Sequence, residues 1–498
     1  MILIKNVQIV DGTGKPPYEA DVLVSGARIS AIGNFPKHPA EEVIDGQGSY
    51  LTPGFIDVNS SSDHYLTLFT EPLQHDFLLQ GVTTMIGGNC GSSLAPLLYG
   101  SLESIRKWTD TNQINVDWHT IPEFFKVLER RRLGVNFGTL VGHSTIRRAL
   151  IGETSRDLTV NELGIFRLIL EEALRAGALG LSTGLAYAHG RNVPYAEIKE
   201  LARVVARYGG VYAVHLRDEH WGIEAAVGET IKLCKETKVR TLVSHFRPIL
   251  GFEEQFARAL KLLETDASKL NLNFESYPFD TSLIPIYMAL PEWIRTGNLE
   301  EMLSSLKRRE LAERILKELP DFKAEDIIIV QAKDADYLLG KNLGEFARDH
   351  GLKAKPALLK LMIITKLRSA VLYRNINLDL ALQSLIQEKA MVGSNSVSFP
   401  EHKTFRHEYL SQTFAKFLDF ALETRLMPLE IAVRKITSSP AQKFGLAERG
   451  EIKEGNYADL TLINNRRITD VLVNGKRVVK EGVCQNILAG QIIRATRI

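Results

Sequence analysis

The chain has 498 residues, 45% hydrophobic and 24% charged, the mixture of a globular protein able to bury a large core. Its 61 Lys and Arg balance 59 Asp and Glu without any basic stripe interleaved with aromatics, so no nucleic-acid partner is expected. No apolar window is long enough to span a bilayer, so no membrane partner is expected either. The three cysteines, Cys90, Cys234 and Cys484, are far apart and odd in number, which fits a reducing, cytoplasmic compartment with a thiol free for another purpose.

From the first residue the chain reads as a strand: Met1-Ile2-Leu3-Ile4-Lys5-Asn6 has no basic segment followed by an apolar core and a cleavage site. Residues 1–53 continue as short alternating strands split by glycine-rich turns, and residues 446–498 repeat that texture. Within the second stretch, Asn474-Gly475 between two apolar runs predicts a hairpin. Neither end is long enough for a good core alone, so the two are expected to form one discontinuous β-sandwich around the middle of the chain.

Between them, residues 54–445 alternate apolar runs with helical patterns, the rhythm of βα units and parallel strands. The helix expected over 158–177 carries a capping box from Thr159 to Glu162 and a stop at Gly177. Candidate strands are Gly54–Asn59, Thr83–Gly88, Asn136–His143, Ala178–Thr183, Gly210–His215, Arg240–His245, Leu270–Tyr277 and Ala390–Asn395. A closed (β/α)₈ barrel requires that number. The interval at about 280–389 is too long for one crossover and is expected to be an inserted helical subdomain, a lid over the barrel mouth. The runs Arg130-Arg131-Arg132 and Lys307-Arg308-Arg309 are expected to be solvated helix faces.

Polar residues recur where these strands stop: Asn59, Asn89-Cys90, His143, His215, His245 and Asn395. In such a barrel the C-terminal strand ends converge on one mouth, where active sites lie. A thiolate and two imidazoles, from Cys90, His215 and His245, suit Zn²⁺ and leave a fourth position for water. The glycine-rich setting Gly87-Gly88-Asn89-Cys90-Gly91 lets the backbone approach an ion closely.

The chain resembles the N-acyl-D-amino-acid deacylase branch of the amidohydrolase superfamily over nearly its whole length. The resemblance is carried by Pro53-Gly54-Phe55-Ile56-Asp57-Val58, Gln80-Gly81-Val82-Thr83-Thr84, Gly88-Asn89-Cys90-Gly91, Gly142-His143 and Gly180-Leu181-Ser182-Thr183-Gly184-Leu185. It continues in His215-Leu216-Arg217-Asp218-Glu219, Ser244-His245, Thr437-Ser438-Ser439-Pro440-Ala441, Gly455-Asn456-Tyr457-Ala458-Asp459-Leu460 and Val473-Asn474-Gly475. It implies a tight zinc on Cys90, His215 and His245, and a small-molecule N-acyl amino acid as substrate. The fourth strand ends Leu181-Ser182-Thr183-Gly184, without the modified lysine of hydantoinases and dihydroorotases, which disfavours a cyclic-amide hydrolase.

Three departures stand out. Where the family has His-x-His of a weaker second metal site, this chain has Asn59-Ser60-Ser61, and where it has a catalytic aspartate, this chain has Asn395. One zinc per chain is therefore expected, without the usual general base. Asp63 and His64 are candidate substitutes, or else ordinary loop residues. Three readings compete: a single-zinc amidase, a zinc-stabilised binding scaffold without turnover, and a metal-free interaction module, which the intact trio opposes. For the substrate carboxylate, Arg217 and Arg247 follow the metal histidines by two residues, with salt bridges to Asp218 or Glu219 as the alternative. In the segment Glu401–Phe414, either Arg406 or nothing takes the family's further arginine role. Tyr187 and Tyr277 match family positions near the substrate, or else are packing residues.

Overall fold

Strands from the two chain ends lie side by side in the computed structural model, which describes all residues except 37, 38, 100, 101, 103, 155, 296, 333, 401–403, 497 and 498. Leu460–Asn464 runs antiparallel to Tyr50–Pro53, with Leu460 opposite Pro53 and Ile463 opposite Tyr50. Through that pair the terminal strands form one continuous nine-stranded sheet. It curls so that Ile4, Val22, Ile29 and Leu51 of the first stretch share a core with Leu460, Leu462 and Leu472 of the last. The Asn474-Gly475 hairpin forms as expected, with both residues at positive φ (48° and 73°), as a tight turn between right-twisted strands requires.

The barrel strands are Phe55–Asp57, Val82–Gly87, Asn136–Thr139 with Val141–Gly142, Gly180–Gly184, Val211–His215, Arg240–Val243, Leu272–Ser276 and Ala390–Val392. Each pairs in parallel with its neighbour. The third is broken at Leu140, whose amide instead bonds the Gly87 carbonyl at 2.9 Å. The ring closes between first and last strands through a Ser60–Ser396 bridge and an Asn395 N–H donated to the Asn59 carbonyl at 2.8 Å.

Side-chain parity sets what the barrel encloses. Ile56, Ile86, Val211, Ala213 and Leu242 fill the interior. Phe55, Met85, Tyr212, Val214, Val243, Leu272 and Phe274 pack outward against the helices. His215 therefore shares the inward face of Val211 and Ala213, one pleat above them at the mouth. The helix Val160–Arg175 follows its sequence signal closely, with the Thr159–Glu162 capping box in place.

The inserted segment is not purely helical, which corrects the sequence expectation. It opens with Thr281–Pro285, which pairs with Ser369–Arg374, itself paired with Ile327–Ala332, in an antiparallel sheet. Helices including Leu343–Asp349 and Ala354–Ile364 close a separate core around Ile329, Phe346 and Leu361. The β-branched and aliphatic run Ile327-Ile328-Ile329-Val330 favours a strand, a signal that the charged helical stretches around it obscure. The triplet Lys307-Arg308-Arg309 spans a break between two helices, Leu299–Lys307 and Arg309–Glu318. No helix among the described residues is long and apolar enough to cross a membrane.

Candidate metal centre

Cys90, His215 and His245 meet at the mouth, all buried, with their ligand atoms within 4.8 Å of one another. Cys90 Sγ lies 3.4 Å from His245 Nε2, and the two imidazole rings stand nearly perpendicular with centroids 4.2 Å apart. Cys90 sits at φ 52° between Gly88 and Gly91, both also at positive φ. A Cβ on Gly88 would fall 2.2 Å from the Leu140 carbonyl oxygen, so no larger residue fits that turn. His245 also holds a left-handed conformation, at φ 35°, and its backbone N–H is donated to the Glu275 carboxylate. Such backbone conformations cost of order 1–3 kcal/mol each and persist where surrounding contacts impose them.

The donor set fits a zinc ion. Neither nitrogen of His215 has a hydrogen-bond partner among the described residues, although Nε2 lies 3.3 Å from Glu219 Oε2. A buried imidazole with both nitrogens unmet is costly unless a metal takes one of them. Burial, helped by His215, pushes His245 down to about 4, so it is the neutral imidazole that ligates metals. Burial, with Glu275 and Glu219 adding, pushes the Cys90 thiol well up, and a cation at this point is what would make it a thiolate.

Glu219 organises the centre from behind. Its Oε1 accepts from His245 Nδ1 at 3.1 Å, which turns Nε2 toward Cys90, and its Oε2 accepts from the Arg247 guanidinium at 3.2 Å. Burial alone would raise its pKa, but Arg247 and the two histidines hold it well below the carboxylate range. By sequence alone Glu219 is no more than a salt-bridge partner for arginine, and Glu275 passes unnoticed. The signal for Glu275 is parity: it follows outward Phe274, so it faces the interior at a strand end. Burial pushes Glu275 up to about 7 against the hydrogen bonds it accepts from the Asn59 side chain (2.6 Å) and His245, and its Oε2 has no partner among the described residues.

The other candidates divide. Arg247 is at the centre, donating to the Tyr277 hydroxyl (3.1 Å) and Ser282 Oγ (2.9 Å) as well as to Glu219. The Tyr187 ring stands steeply inclined to the His215 ring, with centroids 4.9 Å apart. Arg217 points elsewhere: both ends of its fork bond Glu229 at 3.0 and 2.9 Å, and it caps the Arg191 carbonyl. Arg406 bonds Asp76 at 3.0 Å. His143 starts the helix His143–Ile151 and bonds Glu197 at 2.8 Å, together with Arg147, away from the trio. The Asp63 carboxylate accepts the backbone amides of His64 (3.0 Å) and Gly88 (2.5 Å), holding the loop that carries Cys90. His64 stacks on Trp108 at 4.7 Å, with Nε2 on the Ser92 carbonyl. Asn395, at φ 47°, is tied by its backbone to Asn59 and to the Tyr409 hydroxyl.

The sequence profile of the amidohydrolase family matches residues 381–478. The D-aminoacylase of Alcaligenes xylosoxydans xylosoxydans is 29% identical over 516 residues, covering 99% of this chain and 98% of that protein. The N-acyl-D-aspartate deacylase of the same organism is 30% identical over 475 residues, covering 94% of this chain and 86% of that protein. The crystal structure of the N-acyl-D-glutamate deacylase of Bordetella bronchiseptica, with zinc and a phosphonate mimic of the tetrahedral intermediate, superposes with a TM-score of 0.80 at 29% identity, covering 99% of each chain.

Proposed function

Because this chain belongs to the N-acyl-D-amino-acid deacylase family of zinc-dependent amidohydrolases, we propose that it deacylates an N-acyl-D-amino acid with one zinc ion on Cys90, His215 and His245. The observation that carries this reading is the complete, buried trio with its ligand atoms within 4.8 Å of one another and His215 Nδ1 without a hydrogen-bond partner among the described residues. Held by Cys90, His215 and His245, zinc would supply a Lewis acid for the scissile carbonyl and for the attacking water. Glu219 fixes the tautomer of His245, and Tyr187 walls the centre beside His215. Arg247, backed by Tyr277 and Ser282, takes the α-carboxylate of the substrate. Asn395 offers an amide where the family has a carboxylate, so it accepts no proton, and Asp63 is committed to backbone amides. Turnover is accordingly slow, since losing a general base costs about 10²–10⁴-fold.

The proposal of a single zinc rests on Asn59 and Ser61 at the family's His-x-His positions and on Asn395 at that of its catalytic aspartate. The intact trio and the near full-length likeness to active deacylases disfavour the binding-scaffold alternative. A cytoplasmic location agrees with three unpaired cysteines. The test is hydrolysis of a panel of N-acetyl-D- and N-acetyl-L-amino acids by the zinc-loaded protein, with His215→Ala as control. Activity on D-substrates that vanishes in the control supports the reading; no activity on any substrate ends it.

A further inference from the structure

Cys90 is held in a backbone conformation that its own side chain disfavours. Gly88, Cys90 and Gly91 all lie at positive φ, at 74°, 52° and 77°. Glycine adopts such angles freely, but a residue with a Cβ does so where its surroundings impose them. Two side chains from elsewhere in the barrel supply that constraint.

The first is Ser182, fully buried on the barrel strand Gly180–Gly184 and paired in register with inward-facing Ala213. Its Oγ donates to the Gly88 carbonyl and accepts the Gly91 N–H at 3.0 Å, so one hydroxyl spans the peptides on either side of Asn89-Cys90. The second is Asp63, whose Oδ2 accepts the Gly88 N–H at 2.5 Å while its Oδ1 accepts the His64 N–H at 3.0 Å. The same barrel strand packs directly on the cysteine backbone: a Cβ on Gly184 would fall 2.3 Å from the Cys90 carbonyl oxygen. Gly184 pairs in turn with His215 on the next strand. The strand that fixes the Cys90 peptide is therefore the neighbour of the strand that carries a histidine of the trio, and their register sets the distance between the two.

We propose that Ser182, with Asp63 opposing it, is a positioning residue for the metal centre. It fixes the direction of the Cys90 peptide so that Sγ faces His215 and His245 before a cation arrives. The assignment rests on the zinc reading above. A ligand that must be ordered on binding spends part of the binding free energy on that ordering, whereas one already in place does not. Ser182 acts through Cys90.

The experiment compares the full chain with Ser182→Ala and Thr183→Val. Thr183 is equally buried on the same strand, but its hydroxyl is hydrogen-bonded to the Tyr212 hydroxyl at 2.8 Å, on the outward face. Its removal costs the fold a comparable hydrogen bond without touching the cysteine loop. Zinc affinity is measured by competition with a chromophoric chelator, and the thiolate-to-cobalt charge-transfer band is recorded with Co²⁺ in place of zinc. Loss of a group that orients a metal ligand lowers affinity by about 10- to 100-fold. That loss is expected in Ser182→Ala, with a weakened band, while Thr183→Val keeps wild-type affinity and band. Wild-type affinity in Ser182→Ala, or an equal loss in both variants, would overturn the positioning role.

Asp63→Asn gives a second reading should Ser182→Ala not fold. Asparagine turns one of the two acceptor oxygens into an N–H donor, so one backbone N–H is left facing another donor. Zinc affinity should again fall by about 10-fold or more, and wild-type affinity in Asp63→Asn would equally overturn the assignment. A wild-type chain without a thiolate band in cobalt removes the zinc reading itself, and this assignment with it. A wild-type band with unchanged variants removes the assignment and leaves the zinc reading standing.

Discussion

Asn59 donates its side-chain amide to Glu275 across 2.6 Å, tying the first barrel strand to the seventh at the mouth. The remaining Asn59 oxygen and Glu275 Oε2 are buried and without partners among the described residues. A hydrogen bond thus occupies the side chain at the end of the first barrel strand. The expected stoichiometry is one tightly held zinc per chain after dialysis, read by elemental analysis of the purified protein. Two retained metals would contradict it.

Cys90→Ser should abolish tight zinc binding and lower the melting temperature, because binding energy available only to the folded state is lost with the ligand. At a free zinc concentration about 1,000-fold above Kd that linkage amounts to about 4 kcal/mol. Cys234→Ser and Cys484→Ser, whose sulfurs lie away from the trio, should retain full zinc content in the same assay.

Asn395→Asp should raise kcat by about 10-fold or more, since a carboxylate at that position restores a proton acceptor. His215→Ala introduced on top should remove the gain. An unchanged kcat in Asn395→Asp would mean that the chain has moved its proton transfer elsewhere.

Arg217 and Arg247 are equivalent by spacing but not by contact, and their variants should part. Arg247→Lys should raise KM for an N-acyl amino acid by about 10-fold, the loss of a charged hydrogen bond. Arg217→Lys keeps a cation beside Glu229 and should leave KM within about 2-fold. Equal effects would return Arg217 to the substrate site.

At the closed end of the barrel, Lys443 donates to the carbonyls of Thr241 (3.1 Å) and Asn271 (3.0 Å), and burial lowers it to about 7. The folded state therefore holds fewer protons than the unfolded state between about pH 7 and the ordinary lysine value near 10.4. By linkage, wild-type stability must rise with pH over that window relative to Lys443→Met. Melting temperatures of the two proteins at pH 7.5 and 9.5 check the sign; a constant difference would mean that Lys443 stays charged when buried.

Periodicity and residue type alone made the barrel, the paired chain ends and the meeting of Cys90, His215 and His245 legible. Parallel strands buried on both sides must be continuous apolar runs, and the residues that end them must share one mouth, so Cys90, His215 and His245 could be grouped before any contact was known. Local devices such as the Thr159–Glu162 cap and the Asn474-Gly475 turn were equally plain, because their partners lie within three residues. Tertiary structure decided the rest. His143 and His215 both stand at strand ends, yet Glu197, 54 residues on, draws His143 aside, whereas His215, 3.3 Å from Glu219, stays beside Cys90 and His245. Arg217 is taken by Glu229, and Arg247 by Tyr277 and Ser282. Asn59 reaches Glu275 across 216 residues of sequence. A charged or polar side chain carries several donors or acceptors and satisfies whichever partners packing brings within about 3 Å. Its chemistry can be read from the chain, but its employment depends on neighbours that only the closed barrel and its insert assemble.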